Sequence, residues 1–363
     1  MNRPVSIVAA GMVTAVGNSA PASSAAMRAG VRGVAQGKLW DYSAGDYLGV
    51  GRPILHQWWE GRDMLAELVA PAIEECLAAA EQIVRSPVAT IPVVLIVAPP
   101  DRPCRWPDLE QQVLADVAHK LGRPLPKGSA LVAKGRSGIA QALEYASTLF
   151  DTREHEMCVV AGVESFLKEG IADHYQMKES RLLTAANSNG FTLGEAGAAV
   201  LVTLPTWHKR PELCILGMGQ ANDPSGAGGT EKHPAKADGL TKAIRQALTA
   251  ARLQHSAIDL RISDANGEHW KFKEVAFASA RMDRPRPAGS PPHRYGFLDH
   301  WHPSEFIGDV GAAIGPVMLG WALHAGRRSY LHGPRILIHA SEDNGDRAAL
   351  VAELKTNEKK AAR

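Results

Sequence analysis

An α/β fold made of two similar halves is predicted by three features of this 363-residue chain. Short apolar strand patterns alternate with amphipathic helical patterns throughout, which favours layered α/β packing. The order of those patterns repeats in the second half of the chain. A polar, glycine-rich turn, Ala133-Lys134-Gly135-Arg136-Ser137-Gly138-Ile139, joins a strand to a helix in the manner of a catalytic elbow. Such elbows present a Cys or Ser at the positive end of a helix, where the dipole and free N–H groups stabilise a thiolate or an oxyanion. Here the turn offers Lys, Gly and Arg.

In the first half, strands are predicted at Val5–Ala10, Ile91–Val97, Met157–Glu164 and Ala198–Thr203. Helices are predicted at Ala20–Ala29, Leu65–Ile83, Leu109–Leu121 and Gln141–Phe150. In the second half, strands are predicted at Leu213–Met218, Asp259–Ser263 and Arg335–His339, and helices at Leu240–Ala251 and Gly311–His324. Ala348–Leu354 reads as a final strand or helix. Val5-Ser6-Ile7-Val8 corresponds to Leu213-Cys214-Ile215-Leu216, and Ala72–Leu77 to Ala243–Leu248. The elbow with its helix and strand corresponds to Ile307-Gly308-Asp309, its helix, and Arg335–Ala340. The expected division is residues 1–205 and 206–363, related by a pseudo-twofold axis, with a site between the halves. The Pro- and Gly-dense segments 222–239 and 284–296 are expected to loop over the mouth of that site.

Composition narrows the class. Net charge is +2, so the overall balance points neither to nucleic acid nor to an anionic membrane. Four scattered cysteines without pairing or metal spacing read as a reducing compartment. Cys76 lies in a helical pattern, Cys158 and Cys214 in strands, and Cys104 in a Pro/Arg loop. No apolar run has spanning length and no leader pattern precedes Val5, so a cytoplasmic location is expected. The basic tail, Lys355–Arg363, reads as a solvated terminus.

The segment Asn189-Gly190-Phe191-Thr192-Leu193-Gly194-Glu195-Ala196-Gly197-Ala198-Ala199-Val200-Leu201-Val202 resembles the "GF-LGEGAG--LVL" run of the β-ketoacyl-ACP synthases of the thiolase superfamily. Three other segments match that family in order: Gly11–Asn18 its opening loop, Ala161–Ser165 its "GG-E" turn, and Ile307–Ala313 its "GH--GAAG" turn. The resemblance covers roughly 1–30 and 130–355, is weak in 35–125, and shows a shortened segment between Ser165 and Arg181. It implies a thiolase-like fold: duplicated α/β halves in five layers, α-β-α-β-α, as a dimer. The strand near the elbow would pair across the dimer axis, with Cys158–Val163 and the elbow helix near that interface.

That family condenses acyl chains with a Cys nucleophile, two His residues and a supporting Lys. Carried over by motif, the Cys falls at Gly135 (Lys134 if the gap moves by one). The first His falls at Asn266, the second at Asp309, and the Lys at about Ser304. The C-terminal glycine-rich gate becomes Ala340–Gly345. The resemblance therefore implies a chain without Cys–His–His condensation, needing no cofactor and no metal.

Alternative chemistry would have to start from Ser137 or Lys134. Ser137 is expected to cap the helix start, the alternative being a displaced nucleophile. Lys134 is expected to pair with Asp309 or Glu195 or to point outward, the alternative being a desolvated amine nucleophile. His269, His300 and His302 lie near the lost His positions. Asp299-His300-Trp301-His302 resembles a metal or acid–base cluster but lacks a third spaced ligand, so loop histidines are expected. Trp58, Trp59, Trp106, Trp270 and Trp301 are core residues by default, with a protein-binding surface as the alternative.

Three functions follow. The first is a catalytically inactive binding or scaffold protein, resembling the ketosynthase-like proteins encoded beside type VI secretion effectors and their adaptors. The second is the non-condensing partner subunit of a ketosynthase heterodimer. The third is an acyltransferase or thioesterase with a rearranged site. The expected partners are a second copy, a secretion effector or adaptor, or a ketosynthase-type subunit.

Overall fold

The computed structural model describes residues 4–55, 61–83, 88–205, 210–282 and 298–356. The first half runs β1 (Val5–Val13), α1 (Ala20–Arg28), a hairpin of β2 (Val34–Asp41) and β3 (Asp46–Gly51), α2 (Asp63–Ile83), β4 (Val93–Val97), α3 (Leu109–Lys120), β5 (Ala130–Ala133), α4 (Gly138–Asp151), β6 (Met157–Ser165), α5 (Glu169–Asp173) and β7 (Glu195–Thr203). The second half runs β8 (Glu212–Asn222), α6 (Asp238–Ala251), β9 (Leu260–Ser263), α7 (His269–Met282), β10 (His300–Trp301), α8 (Ser304–Ile307), α9 (Ile314–Arg327), β11 (Arg335–Ser341) and β12 (Asp346–Lys355).

The strands form one hydrogen-bonded sequence, β10-β9-β11-β12-β8-β1-β7-β6-β4-β5. Read outward from its middle, each side has the same plan. β1 pairs antiparallel with β7, β7 antiparallel with β6, and β6 and β5 both run parallel to β4. β8 pairs antiparallel with β12, β12 antiparallel with β11, and β11 and β10 both run parallel to β9. The two units join where β1 meets β8, with Val5 opposite Ile215, Ser6 opposite Cys214 and Ile7 opposite Leu213. The pseudo-twofold axis thus passes between two equivalent residues, Ser6 Oγ and Cys214 Sγ, 3.1 Å apart and buried.

The helices complete five layers. α2 packs on β1, β7 and β6 on one outer face, and α6 packs on β8 and β12 on the other. Between the sheets lie α4 and α9, each touching strands of both units. α9 is buried all round except at His324 and Arg327, the pattern of a helix sandwiched between two apolar surfaces. The largest apolar cluster fills this central layer, with Val160, Val200, Leu213, Ile314 and Ile338 among its members. Separate clusters lie under α2 and under α6. No helix among the described residues is long and apolar enough to cross a membrane.

Several sequence expectations need correction. β6, which holds Cys158–Val163, lies inside the sheet between β7 and β4 and has no edge free for a further strand. The free edge beside the elbow is β5. Ala348–Leu354 is strand, because it runs between β11 and β8. Gly311–Ala313 forms a 3-10 turn and the helix proper starts at Ile314. Trp58, Trp59 and the 284–296 loop lie outside the described residues. Trp106, Trp270 and Trp301 are each half-buried: Trp106 lies under Lys168, Trp270 beside Lys271 and Arg347, and Trp301 against Trp321.

Candidate functional site

The elbow is a 3-10 turn, Gly135–Ser137, that feeds α4. Gly135 has φ +54°, a left-handed conformation that suits a residue without Cβ. A Cβ placed on it would fall inside the carboxylate of Glu342. Glu342 follows β11 and accepts the Arg136 backbone N–H at 2.8 Å, so a carboxylate occupies the positive end of the elbow helix.

The second half repeats this arrangement. Gly311 has φ +50°, and a Cβ there would fall inside the Glu164 carboxylate. Glu164, on β6, accepts the Ala312 N–H at 2.7 Å. β6 and β11 occupy equivalent places in the two units, as do the turns before α4 and α9. Each central helix therefore starts on a left-handed glycine capped by a glutamate of the opposite unit.

Arg102 links the two glutamates. Its Nε donates to Glu164 at 2.7 Å and its Nη2 to Glu342 at 3.1 Å. Arg136, 1% exposed, turns inward from the elbow: Nη2 bonds Asp309 at 2.7 Å and Nη1 bonds Glu342 at 2.7 Å. Arg181 bonds Glu268 at 2.6 Å and Asp343 at 3.0 Å. Asn266 Nδ2 donates to Asp309 at 2.8 Å and to Glu268 at 3.1 Å. Tyr175 donates its hydroxyl to Asp343 at 3.2 Å.

Three guanidiniums thus hold five carboxylates in a largely buried network between the halves. Burial alone would make each charge costly; mutual pairing offsets that cost. Burial would raise the Asp309 pKa, but Arg136 overrides it and holds the group at about 2. Burial raises the Glu164 pKa, against the pull of Arg102 and with the push of Glu342. The cavity beside Arg102 and Glu164 measures about 20 Å³, room for one water and no acyl chain.

The sequence-matched positions Gly135, Asn266 and Asp309 meet in this network, while Ser304 stands outside it, with its buried hydroxyl unpartnered. Lys134 pairs with Asp346 at 2.9 Å, not with Asp309 or Glu195, because the Arg136 side chain takes the inward direction. Ser137 occupies the helix-start position but makes no capping bond, since Glu342 already serves the turn; its hydroxyl donates to the Lys134 carbonyl at 2.9 Å. His269 is exposed. His300 Nε2 bonds Ser263 Oγ at 2.6 Å, and burial lowers its pKa to about 3. His302 lies 3.4 Å from Glu305. None of the three is a partner of Ser137. Among the described residues no cluster of His, Cys, Asp and Glu is arranged to hold a metal.

Sequence reasoning missed Arg102, Arg181, Glu268 and Tyr175, and missed the roles of Arg136, Glu164, Glu342 and Asp343. The available signal was charge inside apolar context. Arg136 in a helix-start turn beside Ile139, and Glu342 soon after the apolar run Ile336–Ile338, both demand counter-ions.

No protein-family model and no curated protein matches the chain. Its fold does match solved structures. A chain of the ketosynthase ApeO in complex with its chain length factor ApeC from Xenorhabdus doucetiae superposes with a TM-score of 0.71 at 14% identity, covering 97% of this chain and 98% of that one. The ishigamide ketosynthase/chain length factor gives 0.68 at 20% identity, covering 97% and 99%. A type II polyketide synthase assembly, AntDE:AntF, described as an acyl-carrier protein in complex with its ketosynthase, gives 0.72 at 14%, covering 97% and 99%. Over nearly its whole length, the chain has the thiolase-like fold of the ketosynthases.

Proposed function

We propose that this chain is a ketosynthase-fold protein that does not condense acyl groups and works by binding other proteins. One observation carries the reading: the Glu342 carboxylate fills the space into which a side chain at position 135 would project. Asn266 and Asp309, at the matched His positions, are committed to Arg136 and Glu268 and supply no base. Ser137, Lys134 and the nearby histidines do not converge, which weighs against a rearranged acyltransferase or thioesterase. The test is incubation with acyl-CoA and acyl-carrier protein followed by intact-mass measurement. No covalent adduct is expected; an acyl adduct on any residue overturns the reading.

Two partner classes fit. A type VI secretion effector or its adaptor is supported by the ion pairs that fill the space beside Gly135, since a subunit that accommodates a growing chain needs a tunnel. A ketosynthase-type subunit is supported by the likeness to ketosynthase/chain length factor assemblies. A second copy could pair through β5, an apolar strand with a free edge. Capture from the native cell, followed by sizing with each candidate, separates these outcomes.

A further inference from the structure

The C-terminal ends of α1 and α9 meet at one surface. α9 spans about 20 Å at 1.5 Å per residue, so this surface lies that far from the elbow network. Arg28 ends α1, and Arg327 and Arg328 end α9. Arg210, just before β8, adjoins Pro211, whose carbonyl accepts the Arg327 Nε–H. All four are exposed. The Arg28 guanidinium lies 4.3 Å from the centroid of the Tyr330 ring, and Tyr330 stacks on Trp301. Arg327 is pinned by neutral carbonyls, those of Pro211 at 3.1 Å and Val8 at 2.7 Å. None of the four guanidiniums has an ion-pair partner among the described residues.

Cations at helix C-termini complement the dipole, but that accounts for one charge per helix and not for Arg210. The surplus positive charge is felt by neighbours. After burial, Arg328, Arg327 and Arg28 together hold the His324 ring below its ordinary pKa, and burial with Arg210 lowers Arg327 itself. Two acids near the patch are already engaged, Glu305 with Arg32 and Asp299 with His332, and Glu212, which follows Pro211, is buried.

We infer that this face binds a short acidic segment of a partner protein, its carboxylates meeting Arg28 and Arg328 beside the Tyr330 ring and Arg210 beside Arg327. The inference rests on the protein-binding reading above and not on the state of the elbow. Arginine suits it because its planar fork grips carboxylates bidentately. The patch is bounded by paired Glu305 and Asp299, and the chain as a whole is nearly neutral. A nucleic acid backbone needs a longer basic track.

The full chain, isotope-labelled at histidine, is titrated with an oligoglutamate, with a Gly/Ser peptide of equal length, and with oligo-dT. The oligoglutamate is expected to bind with affinity that falls as salt rises, and to raise the His324 pKa. The double variant R28A/R328A should weaken binding about fivefold or more with denaturant unfolding unchanged. R32A, whose guanidinium is already paired, should leave the affinity unaltered. Absence of binding at low salt, an undiminished affinity in R28A/R328A, or tighter binding of oligo-dT overturns the inference. An acyl adduct in the mass assay would sink the non-catalytic reading while leaving this result intact, so the two fail separately.

Discussion

The turns that start the two central helices share a backbone and differ in what they carry. Both begin on a left-handed glycine, both are capped by a glutamate from the opposite unit, and both lie between the sheets. The second turn continues with Ala312 and Ala313, which add only packing. The first continues with Arg136, which carries a full charge into the interior and gathers Asp309 and Glu342. The capping is part of the repeat; the charge network was built on one side of it. At this turn Gly135 lies against the Glu342 carboxylate, and Arg136 fills the space beside it.

The largest expected effect comes from removing that charge. Arg136→Met leaves Asp309 and Glu342 buried without their main partner and should cost about 3–5 kcal/mol in denaturant unfolding. A near-neutral result would make the network ornamental. Next, Glu342→Gln and Glu164→Gln both keep an acceptor for the capped N–H and remove the charge. Glu342 serves two arginines and Glu164 only one, so the losses should be about 3 and about 1.5 kcal/mol. Equal losses would mean that capping, not charge, dominates.

Gly135→Cys and Gly311→Cys test the shared backbone. Each places a Cβ in a carboxylate on a left-handed residue, so both should destabilise by similar amounts, about 2.5 kcal/mol. The thiol that Gly135→Cys introduces should take up no acyl group by intact mass. Acylation there would show that the elbow opens. A further effect is acid sensitivity. The Asp309 pKa is depressed from 3.8 to about 2, so its stabilisation, about 2 kcal/mol, is complete above the ordinary carboxylate range and lost as pH falls through that interval. Glu164, raised by burial, acts in the opposite sense, so E164Q should show the steeper loss on acidification.

Much of the frame was legible in the sequence. Strand and helix order and the internal repeat follow from local periodicity, and the meeting of Gly135, Asn266 and Asp309 follows from the family resemblance of the ordered motifs. The hairpin β2–β3 was not legible, because Val34–Asp41 lacks clean alternation: one side leans on Leu48 and Val50 while most of β2 stays exposed. α7 was missed because its buried positions include Lys271 and Glu274, so the apolar stripe is broken by buried ions. The network was missed for a different reason. Arg102 meets Glu342 and Asp343 only after both halves have formed, and no local pattern encodes a pairing over that separation.

The seam between the two units also sets an order of events during synthesis. β1 is translated before every other strand, yet Ser6 pairs with Thr203 on one side and Cys214 on the other. A nascent chain carries Val5-Ser6-Ile7-Val8 as an unpaired apolar strand until β7 has emerged, and with one open edge until β8 has. Closing such distant contacts is slow, and open edges of this kind promote aggregation meanwhile. Whatever shields β1 over that interval governs how much of this protein a cell recovers in folded form.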